Sequence, residues 1–376
     1  MTVKLDWSKI TPEIDPQHGM PCERSSHGLS MVQKGKCMIL YGGEQIARTP
    51  LEPSQAAWAA DANDGAWTWR RIVSHHDTNG PPARIAHAQT VYDDSVVYVF
   101  GGRAGVTMGE RAMNDLWKLD CSRGPGTETW SMVTPDLVNG DAPPEERSFH
   151  KILCVGSNLY VFGGCSANGR LSDIHMFDII ANTWTNIGAS TLLKGRGGPN
   201  FMTFSSETMN ESQTQDFDEA KIPQYVPTML GVIAGFSGEE SNDGHLFNLS
   251  SAAWEGAGMA NQLEGLRPRS VCVSASFPST GVSVIFGGEV DPSQKGHEGA
   301  GGFENDIVLL DESTAQYLTS IPASSGQWPE TRGWSAGASM DDGNGIGKLF
   351  IFGGLSGDDA NPKRLNDLWC LDITKS

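Results

Sequence analysis

The residue types best suited to chemistry gather in one glycine-rich stretch, Gly288-Glu289-Val-Asp291-Pro-Ser293-Gln-Lys-Gly-His297-Glu298-Gly-Ala-Gly301-Gly302. It holds three carboxylates and an imidazole. Glu289 and His297, eight positions apart on a folded loop, can share a borderline divalent cation and leave coordination positions open for a substrate. The same pattern also suits a solvated acidic loop.

A second set is a recurring arginine, at Arg24, Arg84, Arg147, Arg196, Arg269 and Arg332, of which three open an Arg-x-x-His pattern with His27, His87 and His150. Two readings follow. The guanidiniums form a cationic ring that receives a small anion, or they bond carbonyls and carboxylates of neighbouring structural units. A third set, Glu44, Arg103, Cys165, Glu289 and Leu355, follows the glycine pairs described next and changes in type from copy to copy, which marks a place for specificity.

The elements that must position these residues are repeats. Strand-like runs ending in Gly-Gly occur at Ile39–Gly43, Tyr98–Gly102, Tyr160–Gly164, Val284–Gly288 and Phe350–Gly354, with a degenerate copy at Val232–Phe236. The glycine pair suits a close approach between neighbouring units where φ is positive. Each copy leads to a short strand ending in Asp61, Asp120, Asp178, Asn248, Asp311 or Asp372. An aromatic then opens a fourth strand at Trp69, Trp130, Trp184, Trp254 and Tyr317. The last copy lacks that strand, and residues 3–10, with Trp7, are expected to supply it. Closure of this kind leaves a ring of four-stranded sheets without a long open edge. The expected fold is therefore all-β, one six-bladed propeller over residues 1–376 whose last blade is closed by the N-terminal strand, with a polar insert at 206–225. In an antiparallel meander, the residues before the first strand lie beside those after Gly-Gly. The arginines and the post-glycine residues should thus meet at one mouth of the ring.

The Gly-Gly pairs, downstream acids and aromatics resemble the kelch repeat over essentially the whole chain. The Glu289 loop together with Arg332-Gly-Trp334 resembles the plant specifier proteins, the nitrile-specifier, epithiospecifier and thiocyanate-forming group. That resemblance implies an Fe(II)-dependent, lyase-like activity on glucosinolate aglucones, which the partner enzyme myrosinase releases. It implies iron ligands in the pattern Glu-x-x-x-Asp-x-x-x-His, matched here by Glu289 and His297. Ser293 stands where the pattern has Asp, so Asp291 or Ser293 with water would complete the sphere. It further implies that Arg103 holds the substrate sulfate and that Trp334 faces the pocket, with Arg24, Arg84, Arg147, Arg269 and Arg332 assisting around the mouth.

Composition narrows the alternatives. Of the 376 residues, 45 are Gly, and Asp plus Glu exceed Lys plus Arg by 45 − 27 = 18. An acidic chain without a basic run is unsuited to nucleic acid or to an anionic membrane surface. The longest apolar runs are far short of the ~20 residues that span a bilayer, and the polar N-terminus has no signal-peptide core, so the chain is expected in the cytosol. The seven scattered cysteines, without a Cys-x-x-Cys, read as reduced thiols rather than as a disulfide or zinc framework. His75-His76 reads as solvated. Two rival functions fit the same propeller: a metal-free isomerase or cyclase acting on a small anion, and a module that binds partner proteins.

Overall fold

The computed structural model describes residues 2–73, 80–107, 110–205 and 227–376, and leaves the side chain of His297 outside the description. His75, His76 and the insert at 206–225 therefore lie outside the described residues. Six four-stranded antiparallel sheets follow one another along the chain. Blade 1 is built from Gly28–Val32, Cys37–Tyr41, Trp58–Asn63 and Ala66–Arg71, and blade 2 from Ala88–Tyr92, Val96–Arg103, Ala112–Asp120 and Thr129–Val133. The first strands of successive blades are neighbours around the axis, and blade 6 meets blade 1. Val3–Ile10 pairs antiparallel with the last strand, from Val3 opposite Lys375 to Ile10 opposite Leu368, and completes blade 6. Trp7 sits edge-on to Phe286, Trp328 and Trp369.

Burial explains the strand compositions. The second strand of blade 2, VVYVFGGR, is buried almost throughout because neighbouring blades cover both of its faces, so it reads as a continuous apolar run. The outermost strand, TWSMV, is half-exposed and alternates. The apolar side chains form six clusters, one per blade interface. Leu29 and Met38 of blade 1 meet Ala336 and Phe350 of blade 6, for example, while Ala88 and Phe100 of blade 2 meet Ile152 and Trp184 of blade 3. All seven cysteines are unpaired, and five are buried. No helix among the described residues is long and apolar enough to cross a membrane.

A repeated latch ties each blade to the next. The N–H of the second glycine donates to the carbonyl of the next blade's arginine: Gly43 to Arg84, Gly102 to Arg147, Gly164 to Arg196, Gly235 to Arg269, Gly288 to Arg332 and Gly354 to Arg24, at 2.8–3.1 Å. Gly101 and Gly102 hold φ of +60° and +95°, and a Cβ on Gly101 would stand 2.9 Å from the Arg147 carbonyl oxygen. In blade 4 the first position is Ala234, which adopts φ +60° all the same, so the degenerate copy keeps the latch at a cost in backbone strain.

Candidate functional site

The floor of one mouth is a closed ring of six peptide groups. Ser26, Ala86, Phe149, Gly198, Val271 and Trp334, one from each blade, all have φ between +49° and +59°. Each donates its N–H to the carbonyl of the one before, with Ser26 donating to Trp334, at 2.8–3.1 Å. Left-handed backbone costs an ordinary residue about 1–3 kcal/mol, more for β-branched Val271, and such strain persists where surrounding structure enforces it. The ring thereby fixes Phe149, Val271 and Trp334 side by side around the axis, and the Trp334 indole meets Phe303 edge-on at 5.8 Å.

Around this floor stand the residues that follow the glycine pairs. Isolated bridges join Ser25 to Glu44, Ile85 to Arg103, Ser148 to Cys165, Gly197 to Phe236, Ser270 to Glu289 and Gly333 to Leu355, each pairing the start of a first strand with the end of a second. Their side chains divide the mouth into a cationic and an acidic side.

On the cationic side Arg103 is 1% exposed, and no hydrogen bond or ion pair reaches its guanidinium among the described residues. It lies over the Phe149 ring at 5.3 Å. Burial lowers its pKa, the nearby Glu44 opposing and Arg48 adding to the effect. Arg170, opposite Cys165 in the blade 3 hairpin, covers the Phe236 ring at 4.6 Å, and its Nε is likewise unpaired. A buried guanidinium without an ion pair is costly, and an anion on this side would add to the partial compensation that Glu44 gives. Sequence reasoning found Arg103 from its repeat position but missed Arg170, which lies in a hairpin outside the repeat pattern.

On the acidic side, Glu289 is buried and its Oε1 accepts the Ser293 N–H at 3.3 Å. Burial, and after it the charge of Asp359, push its carboxyl up to about 7. Asp359, from blade 6, accepts hydrogen bonds from the Ser293 hydroxyl and from Gln294 N–H, and Lys295 Nζ reaches its carbonyl oxygen at 2.6 Å. Glu240, from blade 4, accepts from the Ser270 hydroxyl at 3.2 Å and is pushed up to about 8 by burial and by Glu289 and Asp291. The loop glycines have a steric reason: a Cβ on Gly301 would sit 2.6 Å from Glu289 Oε1, and one on Gly299 would overlap Asp359. Neither Glu240 nor Asp359 is signalled by the sequence, because both come from other blades.

Two placements differ from expectation. Asp291 does not turn toward Glu289: an irregularity in the short Glu289–Asp291 ladder directs it outward, 76% exposed, to Arg267 at 3.3 Å. The six recurring arginines do not line the mouth. Arg24, Arg84, Arg147, Arg196, Arg269 and Arg332 are at most 1% exposed, and each donates to the carbonyl of its own blade's first latch residue, from Gly42 to Gly353, at 2.8–3.1 Å. Five also grip a carboxylate with both terminal nitrogens, Arg84 on Asp115, Arg147 on Asp173, Arg196 on Asp243, Arg269 on Asp306 and Arg332 on Asp367. Arg24 has the carbonyls of Gln55 and Ala56 instead. Their donors are engaged by carbonyls and carboxylates as in the structural alternative, but within their own blades rather than in neighbouring ones.

For a divalent cation the donors present are suitable in kind. Glu289, the Ser293 hydroxyl and Asp359 form a continuous oxygen-rich edge, and the backbone of His297 lies in the adjoining turn Gly296–Glu298. Two neighbouring carboxylates, one buried, suit a hard or borderline cation. Among the described residues no three His, Cys, Asp or Glu side chains converge to metal-binding distance. Between the two sides lies a cavity of about 180 Å³ lined chiefly by Phe149, Cys165, Arg170, Phe236, Glu289 and Trp334.

Comparison with known proteins agrees with this architecture. Residues 1–193 match the family described as KLHDC2/KLHL20/DRC7 Kelch-repeats domain. The chain is 24% identical to N-(sulfonatooxy)prop-2-enimidothioate sulfolyase of Thlaspi arvense, over 94% of this chain and 93% of that protein. It is 30% identical to Adagio protein 3 of Arabidopsis thaliana, but over 54% of this chain and only 32% of that longer protein. A solved structure described as that of YjhT superposes with a TM-score of 0.63 at 15% identity, covering 93% of this chain and 95% of the other. This last likeness speaks for the fold alone.

Proposed function

The chain belongs to the kelch-repeat family, and from that premise we propose that its mouth is a lyase site for a small anionic thiohydroximate sulfate, with Fe(II) as cofactor and myrosinase as the enzyme that supplies the substrate. The observation that carries this reading is that Arg170 and Glu289 line one aromatic cavity, with Arg103, buried and without a hydrogen bond or ion pair among the described residues, stacked on its Phe149 wall. The full-length similarity to a sulfolyase of a sulfonatooxy imidothioate supports the choice of substrate class.

The residues divide the work. Arg103 and Arg170 take the sulfate ester, whose tetrahedral oxygens suit paired guanidinium donors. As the N–O bond breaks with its electron pair leaving on sulfate, the C–S pair moves into the forming nitrile and sulfur departs at the zero oxidation level; donors already desolvated stabilise the charge gathering on the sulfate more than they stabilise the ground state. Phe149, Phe236 and Trp334 enclose the organic side chain and exclude water. Glu289 and His297, together with Ser293 or Asp359, would hold Fe(II), which when bound would supply Lewis acidity toward the thiolate sulfur.

The test is to mix the protein with myrosinase, a glucosinolate and Fe(II), and to follow products by gas chromatography. Nitrile is expected; isothiocyanate alone across several glucosinolates would rule the reading out. Glu289→Gln is expected to lose both bound iron and activity while melting no lower than the parent. The outward turn of Asp291 favours one rival, a metal-free isomerase acting on a small anion at the same arginines. Metal analysis of protein purified without chelator separates the two.

A further inference from the structure

Below the floor ring runs the axial channel, walled by the first strands of the six blades, with a cavity of about 330 Å³. A smaller cavity of about 60 Å³ occupies the throat at the ring itself. Lys151, the opening residue of the first strand of blade 3, lines both. The equivalent positions in the other blades, four residues after each recurring arginine, are Gly28, Ala88, Asn200, Val273 and Ala336, so the ammonium is peculiar to one blade.

No Asp, Glu or Arg lines either cavity. No hydrogen bond or ion pair reaches Lys151 from the described residues, and its pKa is lowered by burial, opposed only by neighbouring Cys272. That thiol offers no counter-charge, since burial pushes it up to about 12. The three channel histidines add no charge of either sign: burial holds His27 and His87 at about 3 and His150 well below its usual value. The lumen around the ammonium nevertheless carries polar groups that want a partner. His87 is 7% exposed, and among the described residues only the side chain of Gln89 lies beside its ring nitrogens, without good hydrogen-bond geometry. A neutral imidazole still offers one N–H donor. Gln89 donates to the Ser30 oxygen at 2.8 Å, which leaves that hydroxyl's own hydrogen free to turn into the channel. A lone ammonium, a neutral imidazole and a hydroxyl hydrogen lining one polar channel are the donors of a small oxyanion site, and an ammonium left there without a counter-charge is disfavoured.

We propose that the axial channel binds a small inorganic oxyanion, of the sulfate or phosphate type, at Lys151, on the far side of the peptide ring from the mouth and independently of it. The anion supplies the counter-charge that no blade provides, and so acts as a plug on the propeller axis.

The probe is inorganic sulfate, measured by equilibrium dialysis of radiolabelled anion and by thermal melting of the full chain. Because sulfate is also expected at Arg103, three proteins are compared: the parent, Lys151→Met and Arg103→Leu. One bound sulfate per chain should vanish in Lys151→Met and persist in Arg103→Leu. At low anion concentration, Lys151→Met should melt no lower than the parent, since it removes an unpaired charge. A hundredfold excess of sulfate over its Kd should raise the parent midpoint by about 3–5 °C beyond the rise seen in Lys151→Met. Lys151→Gln serves as a second variant and should behave as Lys151→Met does. Equal sulfate binding by parent and both Lys151 variants, or loss of all bound sulfate in Arg103→Leu, overturns the proposal.

Discussion

Arg103 and Arg147 are both buried arginines near the same mouth, and what surrounds each decides its role. Arg147 grips Asp173 at 2.8 and 2.9 Å and the Gly163 carbonyl at 3.0 Å, so its charge is answered within the fold. Arg103 has no such pair: it lies on the face of Phe149, and Glu44 opposes burial only through its charge. Replacing it by leucine therefore removes a charge that burial disfavours. The Arg103→Leu variant should melt at or above the parent temperature while kcat/KM for the sulfated substrate falls at least about 100-fold, the cost of losing a charge-assisted contact to the leaving group. Melting curves and kinetics on one preparation check this, and a clear loss of stability would show that Arg103 is structural. Arg103 was legible in the sequence because it follows a glycine pair in a register that every blade shares. Arg170 was not, because only the Ser166–Gly169 hairpin folds it back beside Cys165. Asp359 was invisible for a different reason: it reaches Ser293 across 66 residues and a blade boundary.

At the scale of the blade, the recurring arginine and the glycine pair turn out to be two halves of one device. The arginine carbonyl receives the preceding blade's glycine N–H, and its guanidinium holds its own blade's first glycine and an aspartate. The period, the meander and the closing strand were readable because Gly-Gly, Arg and the aromatic repeat along the chain. The aspartate partner was not legible. The sequence draws attention to the strand-ending acids such as Asp120 and Asp178, whereas the partners are Asp115 and Asp173, five residues earlier on strands that lean against the arginine. Removing one partner of such a pair leaves a buried charge alone. Asp173→Ala should therefore cost about 3–5 kcal/mol in urea unfolding. Catalysis should survive below the new unfolding midpoint, because Asp173 lies outside the aromatic cavity. A loss under ~1 kcal/mol would mean that the carbonyl contacts alone hold the latch, as they do for Arg24 in blade 1.

For the whole molecule the latches and the buried acids set opposite pH limits. Burial alone would raise Asp115, Asp173, Asp243 and Asp367, but hydrogen bonds and charge from their arginines, and from His175 at Asp173, hold all four below the usual carboxylate value. A carboxyl with a depressed folded pKa contributes stability above its unfolded value, about 4, and loses it as pH falls through the folded one. Glu312 runs the other way. It is 4% exposed, it accepts from the Ser283 hydroxyl through Oε2, and its Oε1 has no partner. Burial first, then Asp341 and Asp311, push it up to about 8. Glu240 at about 8 and Glu289 at about 7 add to the same trend. Acids of this kind leave the fold most stable below their unfolded value, about 4.3, and withdraw that stability as pH rises toward the folded one. The excess of 18 negative charges adds self-repulsion in the same direction. The melting temperature should therefore peak near about pH 5 and decline both into acid and toward pH 8. Glu312→Gln, far from the mouth, isolates one contribution: its advantage over the parent should be small at pH 5 and grow by about 3 kcal/mol by pH 8. Paired denaturation series at the two pH values decide the matter. A variant that gains nothing at pH 8 would place the alkaline decline in the mouth acids Glu240 and Glu289, where a bound cation at the Glu289–Asp359 edge would be expected to suppress it.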